Sequence, residues 1–280
     1  MKATYIDHMG TDLSVVNAAK VSFGKRSEWD YSSCPDRYGM PPEIVEEYRK
    51  LSKKDQGLIQ FLARGCTSGD WDKLVGRVEI HGSNIYSLDY QEDEAAADIE
   101  QDMLVDLLNY IRRMPSHWSP FAHTAITLHL KMPIVPVARQ NMKHTTGLEY
   151  NEVSRRYVDS EPEIFFPKEF RVVAVNVKQG SGGVHPNNDK WQARVREHSD
   201  LAIQLYNDML EDGVAPEQAR MYLPQSMYTE VIATGNLYAW ANLYIQRTDS
   251  HAQKETQDLA KQIGEIIQPL FPVSWEALTA

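Results

Sequence analysis

The clearest pattern along the chain has a period of two. Between residues 126 and 132, Ile126, Leu128, Leu130 and Met132 alternate with Thr127, His129 and Lys131. Such alternation predicts a strand with one buried face. Pro133 and Pro136 then interrupt the ladder, because proline brings no N–H to it. Elsewhere the spacing is helical. Leu13 to Lys20 predicts a first amphipathic helix with Asp12 as its N-cap. Pro41-Pro42-Glu43 opens a second, running through Ile44, Val45, Tyr48 and Leu51, and another apolar patch follows at Leu58 to Ala63. Ala95 to Arg113 returns to helical spacing through Ile99, Met103, Leu104, Leu107, Leu108 and Ile111. Its acidic approach from Glu92 to Asp98 suits a helix N-terminus, where negative charge opposes the macrodipole.

In the second half, Pro162 to Val177 predicts extended chain, and the turn residues of 179–188 predict a flexible loop. Lys190 to Glu211 and Asn236 to Gln268 read as long helices, separated by Gly213-Val214-Ala215-Pro216 and a shorter helix from Glu217. On the last helix Leu237, Trp240, Ala241, Tyr244 and Ile245 share one apolar face. Nothing repeats at a fixed period and no Pro-rich or Gly-rich linker divides the chain. One α/β domain is the expectation.

Composition narrows the function more than the fold. With 280 residues, 42% hydrophobic and 24% charged, the chain can bury a substantial core. A net charge of −10 argues against a general nucleic-acid surface, which needs clustered Lys and Arg. Any phosphate site must be local. No apolar run approaches the roughly 20 residues that cross a bilayer, and the first residues lack a signal-peptide core. A soluble cytoplasmic protein is expected. Only Cys34 and Cys66 are present, too few for a disulfide framework or a Cys-rich metal site.

The candidate chemistry gathers in two segments. Directly after the alternating strand, residues 137–157 place Arg139, Gln140, Lys143, His144, Glu152, Ser154, Arg155 and Arg156 within one short stretch. A rigid element that ends just before a polar loop is a common way to present functional groups. The Ser154-Arg155-Arg156 run offers a hydroxyl and guanidinium forks suited to a phosphate monoester. Clustered Arg, Lys and Glu are also often no more than a solvated face. The second segment, residues 236–253, ends in Arg247-Thr248-Asp249-Ser250-His251-Ala252-Gln253.

Together the two segments resemble the flavin-dependent thymidylate synthases. That family carries an Arg-His-Arg triplet, a spacer of seven or eight residues and then Ser-x-Arg-Tyr; here Lys143-His144-Thr145 precedes Ser154-Arg155-Arg156-Tyr157. The family's Arg-x-Asp-Ser-His-Ala-Gln run is matched outright by Arg247 to Gln253. Further similarity follows in order along the chain, at Asp12-Leu13-Ser14 through Ala18 to Phe23, at His117-Trp118-Ser119-Pro120-Phe121-Ala122-His123, and at Glu217 to Pro224.

The resemblance implies an α+β fold in which a mainly antiparallel sheet is flanked by long helices. Residues 1–280 would form one such domain, with an insertion around 65–94, and assemble as a homotetramer with active sites between subunits. It implies methylation of deoxyuridine monophosphate, with methylenetetrahydrofolate giving the carbon and FAD reduced by NADPH giving the hydride. No cysteine nucleophile or metal is needed, and no nucleic acid or membrane partner is implied. By matching positions, Gln140, Glu152, Ser154, Arg155, Arg156, Arg220 and Arg247 would hold the nucleotide. Arg156 and Arg220 would take phosphate, and Arg247 would lie against the pyrimidine as the catalytic group. The flavin positions would be Ser22, His117, Ser119, Lys143, His144, Thr145, Glu152, Asn236, Tyr238, Asn242 and His251.

Lys143 and Thr145 stand where the triplet has arginines, and Tyr238 stands where the family has a flavin-contacting arginine. Lysine offers a point charge instead of a planar fork, and threonine none. These changes also admit a nucleotide-binding regulatory protein without redox function. A metal-dependent hydrolase using His117, His123, His129 and His144 is the second alternative.

Overall fold

A computed structural model of the chain describes residues 1–64, 117–143, 145–158, 160–174 and 181–280. The predicted insertion at 65–94, the predicted helix at 95–113, Cys66 and His144 lie outside the described residues. In chain order the described elements are β1 (Lys2–Met9), α1 (Asp12–Lys20), α2 (Pro42–Glu47), α3 (Lys53–Arg64), β2 (Ala125–Pro133), β3 (Leu148–Glu152), β4 (Arg171–Val173), β5 (Ser181–Val184), α4 (Asn188–Glu211), α5 (Pro216–Ala219), β6 (Tyr228–Gly235), α6 (Leu237–Thr248), α7 (Lys254–Ile267) and α8 (Pro272–Thr279). Two compact units emerge. The first holds residues 1–9 and 124–270, the second residues 10–123 and 271–278.

The first unit is organised by an antiparallel sheet in the order β1-β2-β6-β3. The alternation predicted for β2 is what this sheet uses: Ile126, Leu128, Leu130 and Met132 are all fully buried. Leu128 and Leu130 lie opposite Ala233 and Val231 of β6, which extend the same apolar face. Burying each such aliphatic side chain is worth about 1.5–3 kcal/mol, so this face anchors the unit. Ile126 faces Gly235, and there the chain has no room for a side chain. A Cβ on Gly235 would stand 2.2 Å from Leu148 Cδ2 and 2.8 Å from the Gly147 carbonyl oxygen. Gly147 itself has φ +84°, a region other residues rarely adopt. These two glycines let β3 close against β6.

Helix α6 starts immediately after β6. Asn236 caps it, its side chain accepting from Ala239 N–H at 2.9 Å, while Leu237 N–H donates to Thr124 Oγ1 at 2.9 Å. Trp240 is fully buried, and its indole N–H donates to the Ile126 carbonyl at 3.1 Å. The single helix predicted from Asn236 to Gln268 is two. Asp249 leaves helical geometry at ψ 142°, and α7 resumes only at Lys254. The Asp249 carboxylate accepts from the His251 N–H at 2.7 Å, an aspartate-to-backbone bond that competes with helix continuation. On α7 the buried positions Leu259, Ala260, Ile263 and Ile267 form the inward face.

The predicted loop at 179–188 also differs in part. Ser181–Val184 pairs with Arg171–Val173 as a two-stranded sheet, and the Arg171 guanidinium binds Ser181 Oγ and Glu255. Partner contacts override turn propensity there. Between Pro162 and Ala174, only Arg171–Val173 and an isolated bridge from Ile164 to Met227 have extended pairing. Helix α4 covers the predicted segment, and its buried Tyr206 joins Ala219, Leu223 and Met227 in a satellite core.

In the second unit Val15, Val16, Ile59, Phe121 and Phe271 are fully buried. Thr11, not Asp12, is the N-cap of α1: its backbone N–H donates to Ser14 Oγ at 3.1 Å. Asp12 is only 3% exposed and turns to another helix, its carboxylate accepting from the Val273 and Ser274 N–H groups at 2.9 Å each. It neutralises the N-terminus of α8. The second predicted helix stops at Glu47, so Leu51 is buried outside it. Lys20, at the end of α1, forms an ion pair with Asp55 of α3, which also accepts from Ser27 Oγ at 3.0 Å and Ser52 Oγ at 2.8 Å.

Candidate functional site

Strand β2 delivers the chain to a helical turn at Arg139–Asn141, and β3 carries it away again from Leu148. The intervening turn is held from inside. Asn141 is 1% exposed, and its backbone carbonyl accepts from Thr145 Oγ1 at 2.9 Å and from the Tyr150 hydroxyl at 3.3 Å. The guanidinium of Arg247, in the last turn of α6, donates to the Lys143 carbonyl. Three side chains therefore grip two carbonyls of one turn. Arg247 Nε and Asn141 Oδ1 are buried polar atoms with no hydrogen-bond partner among the described residues. A guanidinium with an idle buried N–H, beside a turn of exposed polar residues, is suited to an anionic or carbonyl-bearing ligand.

Burial pushes the Arg247 pKa down and the phenol of Tyr150 up, so the phenol stays neutral beside the guanidinium. The arginine nonetheless stays cationic at any working pH, because its ordinary value is so high. Among the described residues the ion pairs engage Lys20, Arg49, His129, Lys131, Arg171, His251 and Lys254, and none engages Arg156, Arg220 or Arg247. The end of α6 at Thr248 also removes the exposed-helix partners, Ser250 and His251, that an ordinary surface arginine would use.

Beyond β3 the phosphate candidates meet. Arg220 Nη1 donates to Ser154 Oγ at 3.4 Å, and the Arg156 backbone N–H approaches the same hydroxyl at 3.4 Å. Arg220 reaches across 66 residues to make this bond. The Arg156 guanidinium lies 5.1 Å from the ring centre of Tyr157. Arg155 is turned to the carbonyls of Ser160 and Glu161. Glu152 accepts from Thr229 Oγ1 at 2.6 Å. Gln140 joins the turn to the α6–α7 break, donating to Gln253 at 2.6 Å and accepting from Thr256 Oγ1 at 3.0 Å. His251 pairs with Asp249 at 2.8 Å at the same break.

The remaining sequence candidates divide between the units. Asn236 caps α6; Tyr238 and Asn242 lie half-buried on that helix. Ser22, His117 and Ser119 belong to the second unit. There Ser22 is exposed on a helical turn, Ser119 begins another, and the His117 ring stacks on Phe61 at 5.3 Å. Among the described residues, which leave out His144, no three His, Cys, Asp or Glu side chains converge to hold a metal, and His129 pairs with Glu230. Among those residues, too, no helix is long and apolar enough to cross a membrane. The sequence reading overlooked Asn141 and Tyr150. An aromatic at an alternating strand position carries no signal that separates it from core.

Comparison with known proteins follows the same lines. The family model described as thymidylate synthase complementing protein matches residues 4–273. A flavin-dependent thymidylate synthase of Thermotoga neapolitana is 35% identical over 272 residues, covering 97% of this chain and 88% of that protein. One from Thermosipho africanus is 37% identical over 163 residues, 58% of this chain and 71% of its own length. Among solved structures, a UMP/dUMP methylase, PolB, from Streptomyces cacaoi bound with 5-Br dUMP has a TM-score of 0.66 at 24% identity, covering 99% of this chain and 94% of that one. That likeness concerns the fold.

Proposed function

The chain belongs to the thymidylate synthase complementing protein family and is a flavin-dependent thymidylate synthase, a methyltransferase acting on deoxyuridine monophosphate; from that premise we propose how its residues divide the work. FAD, reduced by NADPH, supplies the hydride when bound, and methylenetetrahydrofolate the one-carbon unit.

Ser154, Arg156 and Arg220 hold the nucleotide phosphate. The observation that carries this reading is the meeting of Arg220 with Ser154 and the Arg156 N–H, without a carboxylate pair among the described residues to consume either arginine. Guanidinium forks meet phosphate oxygens bidentately, and the hydroxyl and amide fill the remaining acceptors. Arg247 lies against the pyrimidine. Its fixed charge stabilises the negative charge that builds on a ring carbonyl as hydride adds, which is electrostatic preorganisation and needs no proton transfer. Gln140 and Glu152 border the nucleotide, with Arg155 bracing the segment that carries Ser154.

The residues present also fit a flavin. Lys143 is exposed at the tip of the turn, and Thr145 supports that turn from within. With His144, Asn236, Tyr238, Asn242 and His251 they would hold the cofactor; Ser22, His117 and Ser119 of the second unit carry the same assignment through the family resemblance alone. Helix α4 buries only Ser199 and Tyr206 and leaves Trp191, Leu201 and Leu205 exposed, a stripe that neighbouring subunits of a homotetramer would cover. A cytoplasmic location and folate binding complete the proposal.

The absorption spectrum of the purified protein before and after adding FAD tests the reading. A flavin spectrum, with NADPH oxidation and thymidine monophosphate formation only when the uridine nucleotide is present, is expected. Absence of bound flavin together with absence of turnover would favour a regulatory nucleotide-binding role and sink the proposal.

A further inference from the structure

Arg247 does not hold its place alone. Its only described hydrogen bond runs to the Lys143 carbonyl, so its position depends on the turn that bears that carbonyl. The turn in its part is fixed two residues earlier, at Asn141, whose carbonyl accepts from both Thr145 Oγ1 and the Tyr150 hydroxyl. The two hydroxyls lie 3.5 Å apart. Tyr150 is the rigid member of this set. It sits in β3 opposite Ala233 of β6, in a segment closed tightly by Gly147 and Gly235.

We propose that Tyr150 is a positioning residue for Arg247: its hydroxyl holds the 141–145 turn on which the guanidinium is docked, and so sets where that guanidinium meets the pyrimidine. The inference rests on the reading of Arg247 given above and extends it to a residue that touches no ligand. A second observation supports it. The Tyr150 phenol faces the Arg247 guanidinium in a partly buried setting, where burial keeps it neutral and able to donate. Because the donors around the turn are neutral hydroxyls, they fix the arginine without neutralising it.

The test is a double-mutant cycle on the FAD-loaded enzyme, read as the dissociation constant of deoxyuridine monophosphate by calorimetry. Tyr150→Phe, which removes one oxygen and keeps the ring, should weaken nucleotide binding about fivefold, the usual size of one lost hydrogen bond. In the Arg247→Ala background the same change should alter binding by less than about twofold, because the group it positions is gone. The flavin spectrum should be unchanged in each variant. Equal weakening in both backgrounds, or none in either, overturns the inference while leaving the function intact. A wild-type enzyme that binds no uridine nucleotide overturns both. Should circular dichroism show Tyr150→Phe unfolded, Tyr150→Met, which fills the site without a hydroxyl, carries the same cycle with the same expected outcomes.

Discussion

Two half-buried cations are held in opposite ways. Lys20 ends α1 against the buried carboxylate of Asp55, which is 3% exposed and further bonded by Ser27 and Ser52. Arg247 ends α6 against a backbone carbonyl and beside neutral hydroxyls. The lysine's charge is spent within the protein. A buried pair of this kind costs desolvation on both sides, and its geometry must be good to recover it. The arginine's charge is spent on nothing charged, so its field remains available to a ligand. The difference leaves one cation satisfied by a carboxylate inside the fold and the other without a charged partner among the described residues.

The largest effect expected of this contrast is on catalysis. Arg247→Ala should lower kcat by about a thousandfold, roughly 4 kcal/mol, as for loss of a preorganised charge-stabilising donor, while the flavin spectrum persists. Normal turnover in that variant would erase the contrast. Next comes stability. Asp55→Asn should destabilise the fold by about 3 kcal/mol, because it strands the Lys20 charge, yet leave the nucleotide dissociation constant of the folded fraction unchanged; chemical denaturation and calorimetry read the two separately. A matching loss of nucleotide affinity would place Asp55 in the site. Ser154→Ala should raise the nucleotide KM about fivefold, near 1 kcal/mol, with kcat nearly constant. A fall in kcat with unchanged KM would mean that the serine is not a ground-state phosphate contact.

The smallest expected effect is on pH. Burial pushes the Asp55 carboxyl up, but Lys20, Ser52 and Ser27 outweigh it and hold the group below its ordinary value. A folded pKa below the unfolded one gives stability above the unfolded value of about 4 that is lost as pH falls through the folded value. Asp12 has the opposite sign: burial raises it, so its contribution is full below about pH 4 and is lost as pH rises through its folded value. Thermal melts below pH 4 should therefore be flatter for Asp55→Asn than for the wild type. Parallel curves would assign the acid limb to other groups.

Much of the fold was legible where one face is buried and the other is not. β2 shows its period because every second residue is fully buried. β1 hides its period, since this edge strand leaves Tyr5 and Ile6 partly exposed and mixes Lys2, Asp7 and His8 among its positions. β3 lies inside the polar segment and buries only Leu148 fully, and α8 is too short for a helical period to emerge. The helix break at Asp249 was invisible because a single carboxylate-to-backbone bond decides it. Ser154, Arg220 and Arg247 were named through resemblance alone; Arg220 and Ser154 meet at 3.4 Å, and Arg247 bonds the Lys143 carbonyl elsewhere. Tyr150 acts through two carbonyl groups, and backbone atoms leave no trace in residue identity.

The bond from Asp12 to the N-terminus of α8 spans 261 and 262 residues of sequence, to Val273 and Ser274. Two segments that the sequence holds far apart are therefore tied through one side chain. Removing residues 272–280 would take away both N–H groups that answer the Asp12 carboxylate and leave a 3% exposed acid facing the space of a missing helix end.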